Sequence, residues 1–245
     1  SLGYQGFELY FQPIVRVKDE SLYAAEALLR IHDKNGNFIS PAEAIPILEE
    51  SGLIIPVGKW IIQNAFSMCT ECRKYYPEFR VSINLSYVQI LKSPLMMELK
   101  QIIDHSGISC SGIIVELTES GYLEGTPAVR SVWNDMKKLR IQIELDDFGT
   151  GYSNLMNISN LEPDIVKLDR GFTLKALSRS YEYQLMQYVI EMVHKLNQYV
   201  CVEGVETKED LEKIKALGPD LIQGYYYSKP CSRDEFLKKF FGYSE

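Results

Sequence analysis

The sequence predicts an α/β protein built on a closed barrel of eight strands, with an antiparallel first strand pair. Only the four residues 18–21 separate the first two apolar segments, too few for the crossover that parallel strands need. Beyond them, short apolar strands alternate with helical segments, which indicates a largely parallel sheet covered by helices. Eight such strands in 245 residues fit a TIM-like (β/α)8 barrel.

Each predicted element has a local signal. The first strand pair, 8–17 and 22–30, is rich in aromatic and branched apolar residues. A helix over 42–51 begins after Ser40-Pro41 and ends at Gly52. The other predicted strands are 80–84, 112–117, 141–146, 165–168, 199–203 and 221–224, and the other helices lie near 57–75, 93–106, 126–139, 178–197 and 208–217. A doubly wound open sheet is the alternative, but no strand is followed by a Gly-x-Gly-x-x-Gly turn.

Composition and charge narrow the class of protein. Hydrophobic residues make up 46% and charged residues 24% of the chain, as in ordinary globular domains. Lys plus Arg number 26 against 33 Asp plus Glu, and the net charge of −7 argues against a nucleic-acid polymer as a partner. No linker divides the chain, so we expect one domain over 1–245. Because the sequence does not begin with Met, we expect a domain taken from a longer protein, although a tag remnant would look the same.

Two features bear on location. No apolar run reaches the roughly 18 to 20 residues that cross a bilayer, and no secretory leader is present. The five cysteines are scattered and odd in number, which indicates a reducing compartment rather than a disulfide framework. We therefore expect a cytoplasmic domain, either free or attached to a membrane anchor.

Six successive strands end on polar side chains, and in a barrel these ends share one rim, where active sites are built. For a single residue, the better explanation is that loops begin with polar groups. For six strands together, a site is the better explanation. The polar residues are Asn84, Glu116, Asp146 with Asp147, Lys167, Glu203 and Gln223, and Glu26 in the second strand can point into the same mouth.

The acidic members of this set predict metal ions. Carboxylates gathered at one mouth repel one another and protonate unless cations hold them ionised. Oxygen donors and one amide, with no histidine at a strand end, favour Mg²⁺ or Mn²⁺ over Zn²⁺. Asp146 and Asp147 are adjacent where a strand breaks, so they can reach two ions about 4 Å apart, an arrangement used on phosphodiesters.

Lys167 has several interpretations. Its ammonium can balance the carboxylates, hold an attacking water or form a Schiff base. A structural ion pair with Asp169 or Glu203 is an equally good explanation. The glycine-punctuated segment 147–153 can fold tightly over the mouth, because glycine adopts positive φ readily.

Four motifs in order resemble the EAL domain family of bacterial cyclic di-GMP phosphodiesterases. They are EALLR at 26–30, DDFGTGYS at 146–153, EGVET at 203–207, and QGY at 223–225 with Lys229-Pro230. The resemblance extends from Phe11 to Pro230 and implies the same variant barrel. Departures from the family pattern fall at Ile31, Asn154, Gly171 and Val202, and none removes a metal ligand.

The resemblance implies a role for each matching residue. Glu26, Asn84, Glu116 and Asp146 would bind metal, with Asp147 on the second of two Mg²⁺ or Mn²⁺ ions. Lys167 would orient the nucleophilic water, Glu203 would support the metals or act as base, and Glu206 and Gln223 would complete the site. Glu119 would anchor the 147–153 loop. Gln12, Leu29 and Arg30 would contact the substrate.

The resemblance also implies a homodimer and a flanking sensor or GGDEF domain. The first hypothesis is hydrolysis of cyclic di-GMP to linear pGpG, which lowers the level of this second messenger. The second is a catalytically weak domain that binds cyclic di-GMP as a sensor. The third is a lyase or enolase-type barrel with Lys167 as base, which explains neither the guanine-contact positions nor the loop.

Overall fold

A computed structural model describes residues 4–118, 127–150, 158 and 161–242 of the chain. Its strands are β1 (Phe7–Arg16), β2 (Leu22–His32), β3 (Phe38–Ile39), β4 (Arg80–Asn84), β5 (Ile113–Thr118), β6 (Gln142–Phe148), β7 (Ile165–Leu168), β8 (Tyr199–Glu203) and β9 (Leu221–Gln223). Its helices are α1 (Pro41–Glu50), α2 (Ile54–Cys72), α3 (Tyr87–Lys92), α4 (Leu95–Ser106), α5 (Pro127–Lys138), α6 (Arg170–Ser178), α7 (Ser180–Lys195), α8 (Lys208–Leu217) and α9 (Arg233–Phe241).

These strands form a closed barrel. The sheet order is β1-β9-β8-β7-β6-β5-β4-β2-β3, and pairing of β1 with β2 closes it, leaving β3 as an extension beside β2. β1 runs antiparallel to both of its neighbours, while β2 and β4 to β9 pair in parallel. The predicted TIM-like barrel with an antiparallel first strand pair is confirmed.

Several short elements were not predicted, namely β3, α3, α6 and α9. Each of these helices is short and begins at a side-chain cap: Ser86 for α3, Asp169 for α6 and Ser232 for α9. The helix predicted over 178–197 is α7 (Ser180–Lys195), and Arg179, which is extended (φ −137°, ψ 129°), separates it from the unpredicted α6. Apolar periodicity predicts helices poorly over nine residues or fewer. The capping residues therefore mark where these short helices begin.

The barrel interior is divided into an apolar layer and a polar layer. Along each parallel strand, side chains two residues apart face the same side of the sheet. Five buried residues each stand two positions before a polar side chain, and together they fill the lower interior: Ala24, Ile114, Ile165, Cys201 and Leu221. The polar residues that follow them lie above this layer, toward the carboxyl ends of the strands.

The main core lies between the outer face of the barrel and the helices. Phe236 of α9 is fully buried there, and its ring contacts those of Phe11 in β1 and Phe79 beside β4, with centroids 6.2 Å away in each case. This contact attaches the last helix to the antiparallel strand and so supports barrel closure.

We expect Phe236→Ala to lower the free energy of unfolding by roughly 3–5 kcal/mol, because it leaves a cavity in a close-packed core. Urea denaturation of the purified protein measures the change. The control is Tyr181→Ala, whose side chain is 74% exposed on α7, and which should stay within about 0.5 kcal/mol of wild type. Equal effects of the two substitutions would contradict this packing.

Candidate active site

The ammonium of Lys167 lies at the centre of five carboxylates. The Lys167 side chain is only 1% exposed. From its Nζ the nearest carboxylate oxygens are 2.9 Å (Glu116), 3.1 Å (Glu26), 3.2 Å (Glu203), 3.5 Å (Glu144) and 3.8 Å (Asp146) away. Burial alone would lower the pKa of Lys167, but the surrounding carboxylates outweigh it and hold that pKa well above its usual value. The side chain is therefore an ammonium ion.

Strand register explains why these groups meet. Asn84 lies opposite Glu116 across β4 and β5, and Glu203 lies opposite Gln223 across β8 and β9. Because β1 runs against the other strands, its Gln12 pairs in register with Glu26 of β2. The antiparallel strand thus adds an amide to a mouth otherwise built from strand ends.

The Glu26 carboxylate accepts three side-chain hydrogen bonds within the cluster. Its Oε1 accepts from Asn84 Nδ2 at 2.8 Å, and its Oε2 accepts from Gln223 Nε2 at 2.6 Å and from Lys167. Gln223 Nε2 also donates to Gln12 Oε1 at 3.2 Å. Burial would raise the pKa of Glu26, but Lys167 and these donors lower it below its usual value.

Other carboxyls in the cluster have pKa values above the usual range. Burial, assisted by the charge of Glu26, raises the pKa of Glu116 well above its usual value. Burial also raises the pKa of Glu203 to about 7 and that of Glu144 to about 8. More carboxyl groups surround Lys167 than one ammonium can balance, and the raised pKa values favour the protonated form of these carboxyls near neutral pH.

Glu144 was missed by the sequence reasoning. It lies within the apolar stretch of β6, between Ile143 and Leu145, and not at a strand end. The sequence signal that could have identified Glu144 is its position two residues before Asp146, because residues two apart in a strand face the same side of the sheet.

The regular pairing of β6 breaks at Asp147, but the strand continues to Phe148 and does not end at Asp146 as predicted. The register of β6 and β7 shifts between Leu145 and Phe148, Asp147 has a positive φ of 61°, and its backbone N–H donates to Asp146 Oδ1 at 2.8 Å. Burial, together with the charge of Asp146, raises the pKa of Asp147 to about 6. Both carboxyls thus remain at one rim.

Gly149 allows the chain to turn directly after this break. Its φ is 106°, and a Cβ there would come within 2.8 Å of the Phe172 ring. Residues 151–153 of the same motif, and the predicted loop anchor Glu119, lie outside the described residues.

Lys167 does not pair with Asp169, one of its two predicted structural partners. The Asp169 carboxylate instead accepts from the backbone N–H groups of Gly171 and Phe172 and caps α6. The ion pair with Glu203 is present. A permanently charged ammonium is also a poor nucleophile, which disfavours the Schiff-base reading of Lys167.

The remaining predicted site residues lie at the edge of the mouth or away from it. Glu206 forms an ion pair of 2.7 Å with Arg170, an exposed residue that the sequence reasoning did not select. The Arg30 guanidinium lies 5.3 Å from the centroid of the Tyr10 ring. Leu29 packs in a buried cluster with Ile31 and Val57. The substrate-binding roles of Leu29 and Arg30 stay predictions.

Cavities lie at both ends of the barrel. One of about 110 Å³ opens at the mouth and is lined by Gln12, Arg170, Glu203, Gly204, Glu206, Gln223, Gly224 and Tyr225. A larger cavity, of about 800 Å³, lies at the amino-terminal ends of β6 to β8 and includes Gln142, Asp164 and Tyr199. Its described lining contains none of the predicted site residues, so the smaller cavity is the one that adjoins the carboxylates.

The donor set fits hard divalent cations. Glu116 Oε1 and both carboxyl oxygens of Glu144 are buried and accept no hydrogen bond from any residue that the structure describes. Carboxylate and amide oxygens with spare lone pairs suit Mg²⁺ or Mn²⁺. In the described part of the chain, no three acidic, His or Cys side chains already surround a common point suited to an ion. Oxygens of Glu26, Glu116 and Glu203 instead lie within 3.2 Å of the Lys167 ammonium.

The fold and this mouth define a TIM-barrel domain with an acidic site at its carboxyl rim. A family model described as the EAL domain matches residues 1–230. The chain therefore belongs to the EAL domain family, which confirms the resemblance. Among the described residues, no helix is long and apolar enough to span a membrane.

Named relatives indicate what similar proteins do. The cyclic di-GMP phosphodiesterase PdeF of Escherichia coli K12 is 30% identical over 230 residues, which are 94% of this chain but only 30% of PdeF. The EAL enzyme Bd1971, in a form bound to cAMP and cyclic di-GMP, is 31% identical with a TM-score of 0.91, covering 96% of this chain and 65% of that one. The PaMucR phosphodiesterase in complex with c-di-GMP is 26% identical with a TM-score of 0.89, covering 96% of both chains.

We expect the thermal midpoint of the metal-free protein to fall as pH rises from about 5 to 8.5. The pKa values of Asp147, Glu203 and Glu144 are raised to about 6, 7 and 8 in the folded state. The folded protein therefore binds more protons than the unfolded chain in this range, and raising the pH removes that stabilisation.

Scanning calorimetry in a chelator measures this dependence. Glu144→Gln should flatten the fall above about pH 7, because it removes the group with the highest of these three pKa values. A midpoint in wild type that does not change over this range would contradict the assigned shifts.

Proposed function

We propose that this EAL domain is a metal-dependent phosphodiesterase that hydrolyses cyclic di-GMP to linear pGpG and so lowers the level of the second messenger. The observation that carries the proposal is the convergence of five carboxylates on one buried ammonium at the barrel mouth. The choice of cyclic di-GMP as the substrate is supported by the named activity of PdeF and by the nucleotide bound in the PaMucR structure.

The predicted metal ligands are Glu26, Asn84, Glu116, Asp146 and Asp147. When bound, two Mg²⁺ or Mn²⁺ ions supply Lewis acidity to the scissile phosphate and lower the pKa of water. The carboxylates contribute negative charge that attracts these ions, and burial keeps the interaction strong.

Lys167 and Glu203 are suited to position and deprotonate the attacking water. The ammonium can donate a hydrogen bond to the water oxygen, as it now does to Glu26 and Glu116. Glu203 lies 3.2 Å from the same ammonium, and its pKa of about 7 suits a group that accepts a proton near neutral pH.

Three of the other predicted site residues line the cavity at the mouth. Gln12, Gln223 and Glu206 line it, so amide and carboxylate groups face any nucleotide that enters. Arg170 brings a positive charge to the same cavity and is suited to a phosphate oxygen.

A cyclic di-GMP sensor that hydrolyses its ligand negligibly is the second candidate. The observation that favours it is the present arrangement of the mouth, in which Lys167 holds the carboxylates that would bind cations. The homodimer, the cytoplasmic location and a flanking sensor or GGDEF domain stay predictions.

The first experiment incubates the purified domain with cyclic di-GMP in Mg²⁺, Mn²⁺ or a chelator and separates the nucleotides by chromatography. We expect pGpG only with a divalent ion. Glu26→Ala should lower turnover by roughly 10²-fold or more, because it removes a predicted ligand and a bonding partner of Lys167.

Glu191→Ala, an exposed substitution on α7, is the matched control and should retain wild-type turnover. Ligand that binds in Mg²⁺ and remains intact would favour the sensor instead. Unchanged turnover in Glu26→Ala would contradict the assigned site.

A further inference from the structure

Glu144 is the one carboxylate around Lys167 to which the family resemblance assigns no role. Its side chain is 0% exposed, and its Oε1 lies 3.5 Å from Lys167 Nζ. Neither oxygen accepts a hydrogen bond from a residue that the structure describes. Burying a carboxylate without such hydrogen bonds destabilises the folded protein, so the presence of Glu144 at this position needs an explanation.

Glu144 lies at the floor of the site. It stands two residues before Asp146 on β6, which places its backbone about 7 Å further from the rim. Its register neighbours are Glu116 on β5 and Ile165 on β7, and Ile165 belongs to the apolar layer that fills the lower barrel. Glu144 therefore separates the apolar layer from the rim carboxylates.

Cations and the Lys167 ammonium compete for the same oxygens. Glu26, Glu116 and Asp146 are predicted metal ligands, and all three are now within 3.8 Å of Nζ. When these carboxylates turn to cations, the ammonium loses partners and faces new positive charge. A buried ammonium left in that position is strongly destabilised unless another counter-charge holds it.

We propose that Glu144 is a positioning residue that retains the Lys167 ammonium at the floor of the site when divalent cations take the rim carboxylates. Its two oxygens are uncommitted and already near Nζ. The apolar layer below, with Ile165, Cys201 and Leu221, offers no counter-charge. The inference rests on the proposed function only in that it requires the site to bind divalent cations.

Two other roles for Glu144 make different predictions. As a direct metal ligand, or as a general source of negative charge, it would favour cation binding whether or not Lys167 is present. As a positioning residue, it acts only through the ammonium. A double-mutant cycle between the two residues separates these cases.

The test measures Mn²⁺ binding by calorimetry without nucleotide in wild type, Glu144→Gln, Lys167→Met and the double variant. We expect Glu144→Gln to weaken Mn²⁺ binding roughly tenfold or more when Lys167 is present, and less than about twofold in the Lys167→Met background. Equal weakening in both backgrounds, no weakening in either, or wild type that binds no Mn²⁺ would overturn the proposal.

Two further variants guard against a misleading result. Ser82→Ala removes a different buried polar group without a described hydrogen-bond partner, the hydroxyl of Ser82 on β4, and should leave Mn²⁺ affinity unchanged. Glu144→Asp keeps the charge on a shorter side chain and should restore part of the affinity. If Glu144→Gln does not fold, an affinity for Glu144→Asp equal to wild type, or equally reduced in both Lys167 backgrounds, would overturn the proposal.

Turnover gives an independent measurement. In Mn²⁺, Glu144→Gln should lower kcat while KM for cyclic di-GMP stays within about twofold, because Glu144 does not reach the substrate cavity. Equal changes in kcat and KM would indicate a general distortion and overturn the positioning role. Wild type that binds Mn²⁺ but makes no pGpG would refute the proposed function, and the binding cycle would still decide the role of Glu144.

Discussion

The interaction on which the rest of the site depends is the burial of one ammonium among five carboxylates. Neither charge type would be stable alone in the barrel interior, because removal from water penalises each ion by several kcal/mol. In the metal-free protein, the positive charge of Lys167 offsets part of the repulsion among the carboxylates at the mouth. In turn, the excess of carboxylate over ammonium leaves negative charge that Lys167 cannot balance.

The barrel supplies the geometry that this interaction needs. Parallel strands place their carboxyl ends at one rim, so residues far apart in the chain can meet there. The reversed direction of β1 adds Gln12, which accepts from Gln223 while Gln223 also donates to Glu26. An apolar layer lies below the site, and Glu144 is in register with Ile165 of that layer.

The chemistry and the strain of the site occur at the same places. The positive φ of Asp147 and the shifted register of β6 interrupt the regular strand. Because of this interruption, the two adjacent carboxyls of Asp146 and Asp147 can face one rim. The raised pKa values of Glu144 and Glu203 record the free-energy penalty of ionising acids in this interior. Cations bound as proposed would relieve the repulsion among these carboxylates.

The sequence by itself determined the barrel and the polar strand ends, because apolar periodicity and short connections are local properties, and its donor chemistry predicts a hard divalent cation. Only the tertiary structure decided which partners meet. Lys167 contacts Glu26, 141 positions away in the chain, and pairs with Glu203 while Asp169 caps a helix. Glu144 and Arg170 were not identified from the sequence for the same reason. A mid-strand acid and an arginine at the start of a helix acquire a role only when barrel closure brings charged partners beside them.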